Sequence, residues 1–105
     1  MERPHWGSLV AMALLGPQEV EQRLAHLDGW SLVEGAAIER EFELADFAAA
    51  LRLVERVGSL AEAANHHPDI YLHGWNKLRL TLSTHSAGGL TEADFRLAGE
   101  IDELS

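Results

Sequence analysis

"WSLVEGAAIEREFEL" at residues 30–44 runs directly into "ADFAAALRLVERVGSLAEAANH" at 45–66, and the hydrophobic period changes at the junction. In the first stretch Ile38, Phe42 and Leu44 alternate with Glu39, Glu41 and Glu43, the two-residue repeat of a half-buried strand. Gly35 stands where a hairpin turn would join that strand to a shorter one at 30–34. In the second stretch the apolar residues, from Phe47 to Ala64, recur at helical spacing, with Asp46 placed as the N-cap. They cover more than one stripe of the helix, which in so small a domain points to cover by a second subunit. Pro68 disfavours helix at His67, so the helix should end near Asn65–His66.

Working outward, "DIYLHGWNKLRLTLSTH" at 69–85 reads as a second hairpin. Ile70 and Leu72 take one phase, "HGWN" turns the chain, and Leu78, Leu80 and Leu82 resume that phase. "GPQEVEQRLAHLDGW" at 16–30 gives a first helix with Gly16 as N-cap, Pro17 at the first helical position and Gly29 closing it. "GGLTEADFRLAGEIDEL" at 88–104 gives a last helix, with Thr91 and Asp94 spaced as a capping box. The order is α-β-β-α-β-β-α. It implies an α+β fold: a four-stranded antiparallel sheet with three helices on one face. Arg40 falls on the apolar phase of its strand, and a side chain snorkelling at the sheet margin is the expected explanation.

The chain has 105 residues, enough for one domain with one modest core. It has no cysteine, which excludes a disulfide scaffold, a thiolate metal site and a cysteine nucleophile, and fits a reducing, cytoplasmic setting. Its formal charge of −9 is the wrong sign for direct nucleic-acid or anionic-membrane binding. A small neutral ligand or a protein partner suits it better. The apolar run from Ser8 to Leu15 is too short to span a bilayer, and no small-x-small cleavage site follows it. Residues 1–16 are expected to be an extension outside the domain proper, 17–105. Met12 is the only other methionine, and residues 1–11 could precede a true start there.

The chemistry gathers at "NHHPDI", residues 65–70. Glu62 lies four residues before His66, so a helix reaching that far would pair them on one face. Pro68 turns His67 onto a different heading. Strand alternation carried to residue 85 puts His85 on the outward phase with Lys77, Arg79 and Thr81, where it could approach His67. Three histidines and a carboxylate suit either a three-histidine metal site or metal-free acid–base work. The plainer alternative is that His66 satisfies a helix end and His67 is simply exposed. His26, near the end of the first helix, and His5, in the leader, are read as structural.

The stretch 62–94 resembles the signature of the pterin-4a-carbinolamine dehydratases. Glu62, His66, His67, Pro68, Trp75, His85 and Asp94 fall at the spacings of that pattern, and "DGW" (28–30), "IEREFEL" (38–44) and "LAGEID" (97–102) extend the resemblance over about residues 17–104. The resemblance implies the same sheet and three helices. It implies dehydration of 4a-hydroxytetrahydropterin to quinonoid dihydropterin, with no metal and with the pterin as substrate rather than cofactor. It also implies a homodimer or homotetramer and a link to phenylalanine hydroxylase through recycling of its pterin. Some members act instead as dimerisation partners of transcription regulators. On this reading His66 and His85 transfer protons, His67 holds the pterin and Glu62 orients His66. Trp30 and Trp75 would wall the flat ring or pack in the core, and Asp94 would orient His85 or cap its helix. Asn65 stands where some relatives carry an acid.

Overall fold

The computed structural model describes residues 13–104, so the expectations for residues 1–11, including His5, lie outside the described residues. Helix α1 is Pro17–Leu24, strands β1 and β2 are Ser31–Val33 and Ala37–Glu43, and helix α2 is Phe47–Ala64. Strands β3 and β4 are Asp69–His73 and Lys77–Leu82, a 3-10 turn covers His85–Ala87, and helix α3 is Glu92–Asp102. The sheet is antiparallel in the order β1-β2-β4-β3, so the two hairpins join through β2 and β4.

The period-two pattern decides which face is covered. Ile38 pairs with Leu82 and Phe42 with Leu78, while Leu80 faces both Arg40 and Ile70. Ile38, Leu78, Leu80 and Leu82 are fully buried beneath the helices, with Val57 of α2 and Leu97 and Ile101 of α3. On the other face Glu41 and Tyr71 are exposed, and Glu39, His73, Arg79 and Thr81 are half-buried. The expected α+β architecture is therefore the observed one.

The helix ends follow local chemistry. Gly16 and Pro17 open α1, and the Gly16 N–H donates to Glu19 Oε1 at 3.0 Å. The helix stops at Leu24, earlier than Gly29 suggested, and His26 Nδ1 lies 2.9 Å from the Gln22 carbonyl at that end. Asp46 caps α2 by accepting from the Ala49 N–H at 2.8 Å. Asn65 ends it in the left-handed conformation, φ 52° and ψ 43°, a shape that asparagine tolerates better than most residues. Phe47 and Leu51, 49% and 45% exposed, form the part of the wide apolar surface of α2 that this chain leaves open.

Arg40 lies just past the end of the β1–β2 pairing, and its side chain stays 23% exposed, as expected at the sheet margin. Its guanidinium lies 4.2 Å from the centroid of the Phe42 ring and donates through Nη1 to Asp102 Oδ1 at 2.7 Å. Trp30 Nε1 donates to the same oxygen at 2.8 Å. Gly29, at φ +80°, makes room for this: a Cβ there would stand 2.9 Å from Arg40 Nε. An inward charge on the core face is tolerable because it is paired.

On the open face Glu41 accepts from His73 at 3.0 Å and from Arg79 at 3.2 Å. His73 stacks on Tyr71, with ring centroids 4.7 Å apart. The His73 hydrogen bond, opposed by partial desolvation and aided by the His73 and Arg79 charges, holds the Glu41 carboxyl below the ordinary 4.5. A depressed carboxyl favours the fold above its unfolded pKa, and that contribution is lost as pH falls through the folded one. His73→Ala is expected to move the Glu41 titration back toward 4.5, read by carboxyl NMR; an unmoved titration would contradict the assignment. In the core, Leu80→Ala should lower unfolding free energy by about 2–5 kcal/mol in denaturant titration, because Leu80 meets neighbours on both flanking strands.

Candidate functional site

The left-handed Asn65 turns the chain off the end of α2 and swings His66 away from Glu62. His66 instead reaches α3: its Nε2 lies 2.6 Å from Asp94 Oδ1. Glu62 pairs with His67, Oε2 to Nε2 at 2.6 Å. The expected Glu62–His66 pair is thus replaced by two pairs, because the helix ends before His66 and the i, i+4 geometry does not extend to it. The His67–Glu62 pair is exposed, with 55% and 79% of the two side chains open to solvent, so it is worth little to stability. His66 keeps 14% of its side chain exposed and Asp94 none.

His85 is not on a strand. Strand β4 ends at Leu82, and Thr84 forms an isolated bridge with Gly89 that closes the 3-10 turn. Burial nevertheless keeps alternating past Leu82, with Thr84 buried and His85 exposed, so the outward phase expected for His85 holds although a turn carries it. His85 is exposed on that turn, one residue after Thr84. The Thr84 hydroxyl donates to Asp94 Oδ2 at 2.8 Å. Asp94 was expected either to orient His85 or to cap a helix. It caps α3, accepting the Thr91 N–H at 2.9 Å on Oδ2, and its other oxygen holds His66 rather than His85. One carboxylate thus gathers His66 beyond α2, the residue before His85 and the N-cap of α3.

The aromatic residues do not join this cluster. Trp75 is 63% exposed at φ 56° in the turn between β3 and β4. The histidines flank the other end of that hairpin, and the five residues of β3 put about 13 Å of strand between the two ends. Trp30 is buried in the core with its N–H on Asp102. Thr84 is the member that sequence reasoning missed, and Thr91, read only as a helix cap, is the other. The capping-box spacing of Thr91 and Asp94 was the one available signal.

Among the described residues, no group of three or more His, Asp or Glu side chains is arranged as a metal-ligand set. What the cluster offers is proton transfer: two imidazoles each set against a carboxylate, and a third on the adjoining turn. An apolar hollow of about 690 Å³ lies elsewhere, between α1 and the residues around Leu32, Gly35 and Leu90, and no histidine lines it. No described helix is long and apolar enough to cross a membrane.

Comparison with known proteins places this chain in a family. A relative from Roseiflexus castenholzii, provisionally named a pterin-4-alpha-carbinolamine dehydratase, is 51% identical over 88% of this chain and 97% of its own. A crystal structure described as a transcriptional coactivator/pterin dehydratase from Brucella melitensis matches with a TM-score of 0.81 at 35% identity, covering 86% of this chain and 96% of that one. A pterin dehydratase-like protein described as a RuBisCO assembly factor in the alpha-carboxysome shares the fold, with a TM-score of 0.60 at 22% identity over 72% of this chain and 88% of that one. The family model for pterin 4 alpha carbinolamine dehydratase matches residues 13–104, and the chain belongs to that family.

Proposed function

We propose that the protein dehydrates 4a-hydroxytetrahydropterin to quinonoid dihydropterin and water by metal-free histidine acid–base catalysis. The observation that carries this reading is the pairing of His66 with the buried Asp94 carboxylate, with His67 beside it and His85 on the turn tied to the same carboxylate. In the reaction the C4a–O bond breaks with its electron pair going to oxygen, and a proton from an imidazolium turns that oxygen into water. The N5–H proton passes to a second base as the C4a=N5 bond forms. His66 and His85 are the proton-transfer pair. His67, oriented by Glu62, holds the pterin. The pterin is substrate, and no resident cofactor is needed.

This reading places the protein in the cytoplasm, recycling the pterin of an aromatic amino-acid hydroxylase such as phenylalanine hydroxylase. It also makes the protein a homodimer or homotetramer. The exposed Phe47 and Leu51 on α2 and the exposed Ile70 and Tyr71 on edge strand β3 are the surfaces that suit self-association. A second reading is a protein-binding module of the same fold, since the Brucella melitensis protein is described also as a transcriptional coactivator and the carboxysome protein as an assembly factor.

Stopped-flow dehydration of the carbinolamine separates the readings. Wild type is expected to exceed the spontaneous rate with and without chelator. His66→Ala and His85→Ala should each lose about 10²–10⁴-fold in turnover, the range for a positioned acid or base. Activity abolished by chelator would replace this mechanism with a metal-dependent one. A wild-type rate no faster than the spontaneous one would leave the binding module.

A further inference from the structure

The hydrogen bonds around Asp94 run in one direction. A carboxylate oxygen accepts, so the Thr84 hydroxyl spends its only proton on Asp94 Oδ2, 2.8 Å away. The 2.8 Å contact between the Thr84 and Thr91 hydroxyls must then be donated by Thr91. Thr91 Oγ1 accepts in turn from the Ala93 N–H at 3.2 Å. Donation thus passes from Ala93 to Thr91 to Thr84 to Asp94, and the Thr91 N–H adds a second donor to Oδ2 at 2.9 Å. Thr84, Thr91 and Asp94 are buried, so bulk water does not compete for these groups.

With two donors on one oxygen, Asp94 is set up as an acceptor, and its remaining contact is His66 Nε2 at 2.6 Å on Oδ1. We propose that Thr84, backed by Thr91, is a positioning residue: through Asp94 it holds His66 as the Nε2–H tautomer and leaves Nδ1 as the nitrogen that exchanges protons. A neutral imidazole has one donor nitrogen and one acceptor, so fixing the first fixes the second. Among the described residues, Nδ1 of His66 has no hydrogen-bond partner of its own. When it takes a proton the imidazolium lies against a carboxylate already oriented to receive its charge.

Thr84 also shapes the other half of the cluster. Its N–H donates to the Gly89 carbonyl at 2.8 Å, and its own carbonyl accepts from Ala87 and Gly88, both at 3.0 Å. These bonds build the turn that carries His85. The side chain of Thr84 therefore sets His66 while its backbone sets His85, and the relative placement of the two imidazoles depends on one residue. The part of this inference that concerns turnover rests on the dehydratase reading; the tautomer does not.

Long-range 1H–15N correlation of the imidazoles, recorded above the histidine titration range, reads the tautomer directly. In wild type His66 is expected to carry its proton on Nε2. Thr84→Val keeps the side-chain shape and removes the donor. It should give a mixture of tautomers and lower dehydration turnover about tenfold with KM held within about twofold, the scale of one hydrogen bond to a charged group. Thr84→Ser should restore both. A wild-type His66 protonated on Nδ1 overturns the proposal, whether or not the valine variant folds. So does a folded Thr84→Val protein with unchanged tautomer and turnover. An Nε2–H tautomer that is lost in Thr84→Val, in a protein showing no dehydration at all, supports the positioning role and removes the reaction assigned to it.

Discussion

The structure depends on a carboxylate with no exposure to solvent. Asp94 is fully buried, and a charge in that position is costly unless its lone pairs are occupied. Its partners come from separate parts of the chain: His66 beyond α2, Thr84 beyond β4 and the backbone of Thr91 before α3. Satisfying Asp94 therefore forces three chain ends to converge, and the histidines are carried along with them. The candidate site is thus tied to the solution of a burial problem: its histidines lie on connecting segments that the Asp94 hydrogen bonds draw together.

The other end of α3 repeats the device with different chemistry. Asp102 lies at the helix C-terminus, where the backbone dipole disfavours an acid. Arg40 and Trp30 supply a cation and an N–H donor there, so the last turn is tied to the sheet and to the start of β1. An aspartate at each end fastens α3 across the sheet. The inward arginine, anomalous on a strand that otherwise turns apolar residues to the core, is the cation that one of those ends requires.

The fold was legible because its signals are local. Alternation in 38–43 and 77–82, the Asp46 and Thr91 caps, and Pro68 after the helix each act within a few residues, and each appears where expected. The site was legible as a set of residues and not as a set of contacts. Glu62 and His66 have helical spacing, but the left-handed Asn65 breaks the helix between them, and that geometry is invisible in a spacing count. The His66–Asp94 bond spans 28 residues and exists only once α2 and α3 are packed. His85 is exposed as alternation implied, but a 3-10 turn beyond Leu82 carries it rather than the strand. Trp75 fits the signature spacing, yet a hairpin folds that spacing back on itself and leaves the indole at the far end.

The central ladder joins β2 to β4, and the segment between Glu43 and Lys77 holds all of α2 and β3. During synthesis β2 emerges well before its inner neighbour, so for a time its β4 side is an unpaired edge carrying Ile38 and Phe42. Such an edge is a template for joining two unfinished chains. Glu39, Glu41 and Glu43 alternate along the same strand, and pairing two copies of it would crowd like charges on one face. The acidic stripe that looks like ordinary solvent-facing decoration in the finished sheet thus also acts as a safeguard against aggregation while the sheet is half built.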